Sequence, residues 1–159
     1  MFRRALLIVL LSGLLGILVN SVSPRGISIS GPVPMPEIEG VKQIGLVEAW
    51  RFYQSGEVIF VDARSREEYE AASIPGAVSL GVDEFEEKVS SFLELIPRDT
   101  MLVVFCTGRG CESSLEVAAL LRQAGFPHIY LFFEGWEEWT KSGYPTSNHA
   151  SDSGGDALL

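Results

Sequence analysis

The chain has 159 residues, enough for one domain of ordinary size and a short appendage. Hydrophobic residues make up 47% of it and aromatic residues 10%, so the chain can bury a core and is not expected to be disordered throughout. The formal net charge is -9, and the part from Glu37 onward holds 9 basic against 21 acidic residues. So acidic a surface repels nucleic acid and anionic lipid headgroups, which excludes both as expected partners of that part.

The first 23 residues form an apolar segment. Residues 5–19 carry no charge, and 11 of these 15 residues are Leu, Ile or Val. As a helix, residues 5–23 would be about 28 Å long, close to the ~30 Å hydrocarbon thickness of a bilayer. No polar face interrupts the run, which argues against a helix packed in a soluble core.

A transmembrane anchor and a cleaved secretory signal both fit this segment. Pro24 directly follows the small residues at which a signal would be cut, and this disfavours cleavage, so we predict an anchor. Arg3 and Arg4 precede the helix, and the positive-inside rule therefore places the rest of the chain on the outer side, periplasmic or extracellular. Arg25 on the far side weakens this orientation.

The remainder divides by composition into three parts. Residues 24–40 are rich in proline and glycine and are predicted to form an extended linker. Residues 41–147 are predicted to form one domain. Residues 148–159 are small and polar and are predicted to form a disordered tail.

Within the domain, predicted helices and strands alternate along the chain. The predicted helices are residues 44–56, 65–72, 82–97, 113–125 and 135–143. The predicted strands are residues 57–62, 73–80 (with a turn at Pro75-Gly76), 100–105 and 128–133. This order indicates an α/β fold with a central parallel sheet, and in such sheets ligands bind beyond the carboxyl ends of the strands.

Both cysteines of the chain lie in one loop, FCTGRGCESS, between the strand 100–105 and the helix that follows. Cys106 stands at the carboxyl end of that strand, where a thiolate would be a nucleophile. Glycines in such a loop let successive backbone N–H groups point at one spot, and the helix N-terminus adds further donors. Each hydrogen bond to a charged group is worth about 1.5–3 kcal/mol, so these donors would stabilise the thiolate of Cys106.

The same donors would hold a small sulfur-containing anion, to which Arg109 would add positive charge. The residues predicted to bind this anion are Thr107, Gly108, Arg109, Gly110 and Cys111. His128 and His149 lie far along the chain and are predicted to be surface residues, so a Cys–His acyl-transfer site is disfavoured.

Several segments together resemble a single rhodanese domain over residues 44–146. The matching motifs are Asp62-x-Arg64, Glu68-Tyr69, Ile74-Pro-Gly-Ala77, the cysteine loop and Gly135-Trp136. The resemblance implies a sulfurtransferase in which Cys106 takes a sulfane sulfur from thiosulfate or a polysulfide, becomes a persulfide and passes the sulfur to a thiol acceptor. No cofactor and no metal are expected.

The chain departs from the family pattern at two places. Ala72-Ser73 stands where the family usually has Gly-His. The loop from Cys106 to Glu112 has seven residues if the helix starts at Ser113, whereas six are usual. A seven-residue loop resembles that of the rhodanese-like phosphatases, but those enzymes need an arginine where Glu112 stands. A carboxylate there would repel a phosphate dianion, so phosphatase activity is disfavoured.

Cys111 has three open interpretations. It could be a small residue packed under the loop. It could be a resolving thiol that attacks a persulfide on Cys106, releases hydrosulfide and leaves a disulfide. It could instead pair with Cys106 in an oxidising compartment and silence the enzyme.

The sequence therefore predicts a membrane-tethered, single-domain sulfurtransferase of the rhodanese type, with no particular protein partner indicated. The alternative is a non-catalytic binding or redox-sensing module on the same fold, switched by a Cys106–Cys111 disulfide. The other conspicuous residues are expected to have structural roles: Asp62 and Arg64 tying the strand end to neighbouring loops, Trp136 and Trp139 packing the last helix, and Ser113 and Ser114 capping the helix after the loop.

Overall fold

The computed structural model describes residues 2–23 and 37–149, which fall into two separate units. Most of the predicted linker (24–36) and nearly all of the predicted tail (150–159) lie outside the described residues. The described residues 2–23 of the N-terminal unit form the helix α1 (Phe2–Val22). Its stretch Arg4–Ser21 is long and apolar enough to cross a membrane, and none of it is buried against other residues. A signal sequence near an N-terminus has the same properties.

The second unit is built on a parallel sheet of five strands among the described residues. The strands are β1 (Val41–Ile44), β2 (Val58–Asp62), β3 (Val78–Ser79), β4 (Met101–Phe105) and β5 (Ile129–Phe132). Their order is β1-β5-β4-β2-β3, and each neighbouring pair is parallel. The predicted α/β class is confirmed, and β4, which precedes the cysteine loop, lies at the centre of the sheet.

Helices connect the strands and cover both faces of the sheet. They are α2 (Leu46–Ser55), α3 (Arg66–Ala71), α4 (Phe85–Leu95), α5 (Ser113–Gln123) and α6 (Gly135–Lys141), with a short 3₁₀ turn (Val82–Glu84) before α4. The predicted capping box at the start of α3 is present, because the Ser65 side chain accepts from the Glu68 N–H and the Glu68 side chain accepts from the Ser65 N–H.

Alternate residues of β4 enter two apolar clusters, as expected for a strand that is buried on both faces. Leu102 and Val104 join one cluster with residues of α4 and α5. Val103 and Phe105 join the other with residues of α2 and α6. The central strand is therefore fixed from both sides, and so is the point at which the cysteine loop leaves it.

Strand β1 is a feature that the sequence analysis missed. The sequence assigns no element to residues 41–43 and places Ile44 in the predicted helix 44–56. In the structure Ile44 ends the strand and pairs with Phe132, and α2 begins two residues later. The strand is only four residues long and exposes Lys42 and Gln43, so it shows no continuous apolar run. Such a short edge strand is defined by its pairing with β5 rather than by its own sequence.

Candidate functional site

Cys106 is the first residue after β4 and is buried, with 4% of its surface exposed. The loop runs to Glu112, and α5 begins at Ser113, so it has the seven-residue length expected from the sequence. A disulfide joins Cys106 to Cys111 across the loop, with their Cα atoms 6.2 Å apart. The predicted nucleophile and the second cysteine are therefore directly linked.

The start of α6 holds the first two residues of this loop. The N–H of Trp136 donates to the carbonyl of Cys106 at 2.8 Å, and the N–H of Glu137 donates to the carbonyl of Thr107 at 2.8 Å. Gly135 has a φ of +61° and lies so close to the loop that a Cβ atom there would collide with the Cys106 carbonyl oxygen. The Gly-Trp motif thus positions the backbone that carries the nucleophile.

The loop also has unused hydrogen-bond donors. In the part of the chain that the structure describes, the N–H groups of Thr107, Gly108, Arg109 and Gly110 have no hydrogen-bonding partner, whereas the N–H of Cys111 donates to the Gly108 carbonyl at 3.2 Å. Successive unpaired backbone donors in a loop can stabilise an anion. That these residues bind a sulfur-containing anion stays a prediction.

Arg109 points to a partner outside the loop. Its guanidinium contacts a carboxylate oxygen of Glu134 at 2.9 Å and lies 5.7 Å from the ring centroid of Phe133. The other carboxylate oxygen of Glu134 accepts from the Leu46 N–H at 2.7 Å, which links the loop to the start of α2. The Arg109 side chain is 71% exposed, so it is free to leave Glu134 for an anion, and its predicted binding role stays open to test.

A depression of about 620 Å³ opens beside the cysteines, which line it together with Thr107. Its remaining wall comes from α3 and the residues before it, from the segment around the 3₁₀ turn, and from α5. The charged residues of the wall are Arg64, Arg66, Glu67, Glu68, Asp83, Glu84 and Glu116. The wall therefore carries five carboxylates and two guanidinium groups.

Both arginines of this wall already have carboxylate partners. Arg66 contacts Glu70 at 2.8 Å and Glu84 at 3.9 Å. The pKa of Glu67 is lowered by a hydrogen bond from its backbone, by one with Ser65 and by the charge of Arg66, so its carboxylate stays ionised at neutral pH. The pocket is therefore electrostatically negative, which the sequence analysis missed because the acidic residues come from three separate segments.

Arg64 and Asp62 form a buried ion pair behind the site. Two guanidinium nitrogens contact the two carboxylate oxygens at 2.6 and 3.0 Å, and the side chains are 3% and 0% exposed. Arg64 also donates to the Ala72 carbonyl at 2.8 Å and lies 4.5 Å from the Trp136 ring. Ser73, at the family's usual histidine position, donates to Asp62 at 2.7 Å. This pair ties the strand end to the neighbouring loop, as predicted.

The expected capping role of Ser113 and Ser114 is wrong. Both residues lie inside the first turn of α5, and Glu112 occupies the N-cap position without a side-chain hydrogen bond. Glu112 has helical dihedral angles (φ -78°, ψ -25°), whereas a capping residue is normally extended. The Ser114 hydroxyl instead donates to the carbonyl of Cys111 at 3.5 Å.

The other sequence expectations concern residues around the site. Trp139 is fully buried in the aromatic cluster under α6, so its packing role is confirmed. His128 is exposed as predicted, but His149 is half-buried and stacks on Tyr69, with ring centroids 4.4 Å apart. Neither histidine lines the pocket beside Cys106.

Comparisons with known proteins agree with this geometry. The family model of the rhodanese-like domain matches residues 46–142. The thiosulfate sulfurtransferase GlpE of Coxiella burnetii is 31% identical over 107 residues, covering 67% of this chain and 94% of the relative. The HTH-type transcriptional regulator Rv0324 of Mycobacterium tuberculosis is 30% identical over 109 residues, and the match spans 69% of this chain but only 46% of that protein.

A solved structure gives the same result. The human single-domain sulfurtransferase TSTD1 superposes with a TM-score of 0.54 at 28% identity, covering 62% of this chain and 95% of that one. Three observations indicate the same family. They are the parallel sheet, the cysteine that follows its central strand, and the family match over most of the second unit. The chain belongs to the family of rhodanese-like domains.

Proposed function

We propose that the reduced protein is a rhodanese-type sulfurtransferase. In this proposal the Cys106 thiolate takes a sulfane sulfur from thiosulfate or a polysulfide and passes it to a thiol acceptor. The observation that carries the proposal is the placement of Cys106, which directly follows the central strand and begins a loop in which the N–H groups of Thr107 to Gly110 are unpaired among the described residues. The similarity to sulfurtransferases supports it at the level of the family.

The reaction begins with attack of the Cys106 thiolate on the terminal sulfur of the donor. With thiosulfate, the donor's sulfur–sulfur bond breaks, sulfite leaves, and a persulfide anion remains on Cys106. The unpaired N–H groups of Thr107 to Gly110 would stabilise that anion by about 1.5–3 kcal/mol for each hydrogen bond formed. Arg109, released from Glu134, would attract the donor.

This chemistry needs the disulfide to be opened first. A Cys106 sulfur bound to Cys111 has no thiolate with which to attack a donor. We therefore expect no sulfite release from thiosulfate by the oxidised protein, and one equivalent from the protein after reduction by a dithiol and removal of the dithiol. A sulfite assay of each form checks this, and equal release by both forms would contradict it.

The test of the proposed function is the mass of the full-length, reduced protein in detergent after exposure to thiosulfate or a polysulfide. The same measurement is made on the Cys111→Ser variant, in which no second thiol can displace the added sulfur. The expected result is a gain of one sulfur atom in that variant, which a small thiol removes and which Cys106→Ser does not show. If neither the unmodified protein nor Cys111→Ser gains sulfur or releases sulfide from thiosulfate, the proposal is overturned.

The negative charge of the pocket wall should slow the reaction with an anionic sulfur donor. A dianion about 8 Å from one carboxylate is repelled by about 1 kcal/mol in water, and salt screens this repulsion. We expect Glu116→Gln to raise kcat/KM for thiosulfate about two- to five-fold at low salt, and to raise it less for a monovalent aryl thiosulfonate.

The matched control for this charge effect is Glu48→Gln, which neutralises an exposed carboxylate of α2 outside the pocket. Steady-state rates at two salt concentrations, with both donors, measure the effect. An equal change in Glu116→Gln and Glu48→Gln would show that the charge of the pocket wall does not act on the donor.

We also propose that α1 tethers the protein to a membrane, with the second unit on the outer side. The length and composition of Arg4–Ser21 support the tether. An uncleaved anchor predicts that the protein stays in the membrane fraction at high pH and keeps its N-terminal residues. A shortened protein in the soluble fraction would identify the segment as a cleaved signal.

A redox-sensing module is the second candidate, and the Cys106–Cys111 disulfide favours it. In that case the thiol–disulfide change would alter a surface, and neither form would turn over a sulfur donor. Multiple turnovers with a donor and an excess of thiol would exclude this candidate. A protein that cycles only between dithiol and disulfide would favour it.

A further inference from the structure

We infer that Cys111 is the first acceptor of the sulfur that Cys106 takes up, so that the protein releases hydrosulfide and is returned to its active form by a dithiol. The inference rests on the proposed function, because it requires a persulfide on Cys106. It goes further by placing the acceptor inside the chain and by naming the product and the class of reductant.

The first observation is that the disulfide is compatible with an intact loop. The Cα atoms of Cys106 and Cys111 are 6.2 Å apart, within the usual disulfide range of about 4.4–6.8 Å. With the two residues joined, the Cys106 carbonyl accepts a hydrogen bond from the Trp136 N–H, and α5 begins at Ser113. The product of an attack by Cys111 is therefore compatible with the fold around the loop.

The second observation is that both cysteines line the same pocket, so a donor that reaches one is next to the other. Their separation of five positions in the sequence makes the reaction between them intramolecular. Groups joined by a short linker meet at effective concentrations of about millimolar or more, and well-oriented groups at far higher values. Cys111 therefore competes strongly with any external thiol.

The third observation is the charge of the pocket wall. Five carboxylates surround the approach to Cys106, and the two arginines among them are paired. An external thiol attacks as a thiolate anion, which this wall repels. Cys111 lies inside the wall and reaches the persulfide without crossing it.

The step balances as a thiol–disulfide exchange. The Cys111 sulfur forms a bond to the inner sulfur of the Cys106 persulfide, and the bond between the inner and terminal sulfurs breaks. The terminal sulfur leaves as hydrosulfide and takes up the proton that Cys111 loses. That sulfur is reduced, and the two cysteine sulfurs are oxidised to the disulfide. An external dithiol then reduces the disulfide and is itself oxidised to a disulfide.

The test uses the full-length reduced protein in detergent, without oxygen and without free thiol, after exposure to thiosulfate or an aryl thiosulfonate. These donors leave as sulfite or a sulfinate, so any sulfide comes from the protein. The unmodified protein is expected to release one equivalent of sulfide and to end with the Cys106–Cys111 disulfide. Cys111→Ser and Cys111→Ala are expected to keep the added sulfur on Cys106 and to release none.

The two proposals fail in different ways. A persulfide that lasts as long in the unmodified protein as in the Cys111 variants, with no sulfide, overturns the role of Cys111 and leaves sulfur transfer intact. Release of sulfide at the same rate from the Cys111 variants overturns it too. If neither the unmodified protein nor the variants gain sulfur or release sulfide, the sulfurtransferase function fails, and the role of Cys111 fails with it.

Discussion

Replacement of Arg64 by methionine is expected to lower the free energy of unfolding by about 3–5 kcal/mol, because it leaves a buried carboxylate without its counter-charge. The side chains of Asp62 and Arg64 are 0% and 3% exposed, and two guanidinium nitrogens contact the carboxylate at 2.6 and 3.0 Å. The carboxylate of Asp62 also accepts a hydrogen bond from Ser73. Among the residues that the structure describes, Ser73 and the backbone N–H at position 64 are the donors to Asp62 that remain in the variant.

The matched control is Arg66→Met, two positions along the chain. Arg66 pairs with Glu70, but these side chains are 54% and 45% exposed, so solvent screens the pair and about 0–1 kcal/mol is expected. Urea unfolding followed by tryptophan fluorescence measures both variants, since all three tryptophans, at positions 50, 136 and 139, lie in the second unit. Equal losses in the two variants would contradict the argument.

A double variant separates lost charge balance from lost packing. Asp62→Leu combined with Arg64→Met removes both charges, so it is expected to be more stable than Arg64→Met alone. If the double variant is less stable than Arg64→Met alone, the loss of stability in Arg64→Met comes from the lost contacts of the Arg64 side chain with Ala72 and Trp136.

Features defined by a few neighbouring residues could be predicted from the sequence. The capping box needs only Ser65 and Glu68, and the structure has it. The seven-residue length of the cysteine loop follows from where the apolar run of β4 ends and the helical pattern of α5 begins. The burial of β4 on both faces follows from its continuous apolar residues.

Features that depend on contacts between distant segments could not be predicted in this way. β1 is a strand because it pairs with β5, more than eighty residues later. The negative wall exists because α3, the 3₁₀ turn and α5 converge on one pocket, although each contributes only one or two acidic residues that look like ordinary surface charge. The partner of Arg109 is Glu134, which precedes a different helix.

The capping role expected for Ser113 and Ser114 was wrong for a similar reason, because it also depends on the conformation of the preceding loop. Serines before a helical pattern favour capping, but capping also requires an extended backbone at the N-cap. The loop reaches Glu112, the residue directly after the disulfide-bonded Cys111, already in a helical conformation. The backbone conformation of the loop therefore determines which residue occupies the N-cap position of α5, and the residue types alone do not.

Gly135→Ala is expected to lower kcat/KM for sulfur transfer about a hundredfold, the typical cost of moving a reacting group by about 1 Å. A Cβ atom at Gly135 would collide with the carbonyl oxygen of Cys106 and lie 3.0 Å from the Gly108 nitrogen, so the loop must move away from α6. That movement breaks the hydrogen bonds from Trp136 and Glu137, which hold the nucleophile in place.

The control for this substitution is Gly143→Ala, because Gly143 also has a positive φ, +72°, but has nothing within 4 Å of the added Cβ. Both variants carry the backbone cost of about 1–2 kcal/mol for a non-glycine residue in this conformation, while only Gly135→Ala displaces the loop. Rates with a sulfur donor, compared with the unfolding free energies of both variants, separate the two effects. Equal rates would mean that the contact between α6 and the loop does not position Cys106, and that the reactivity of the thiol depends on the loop alone.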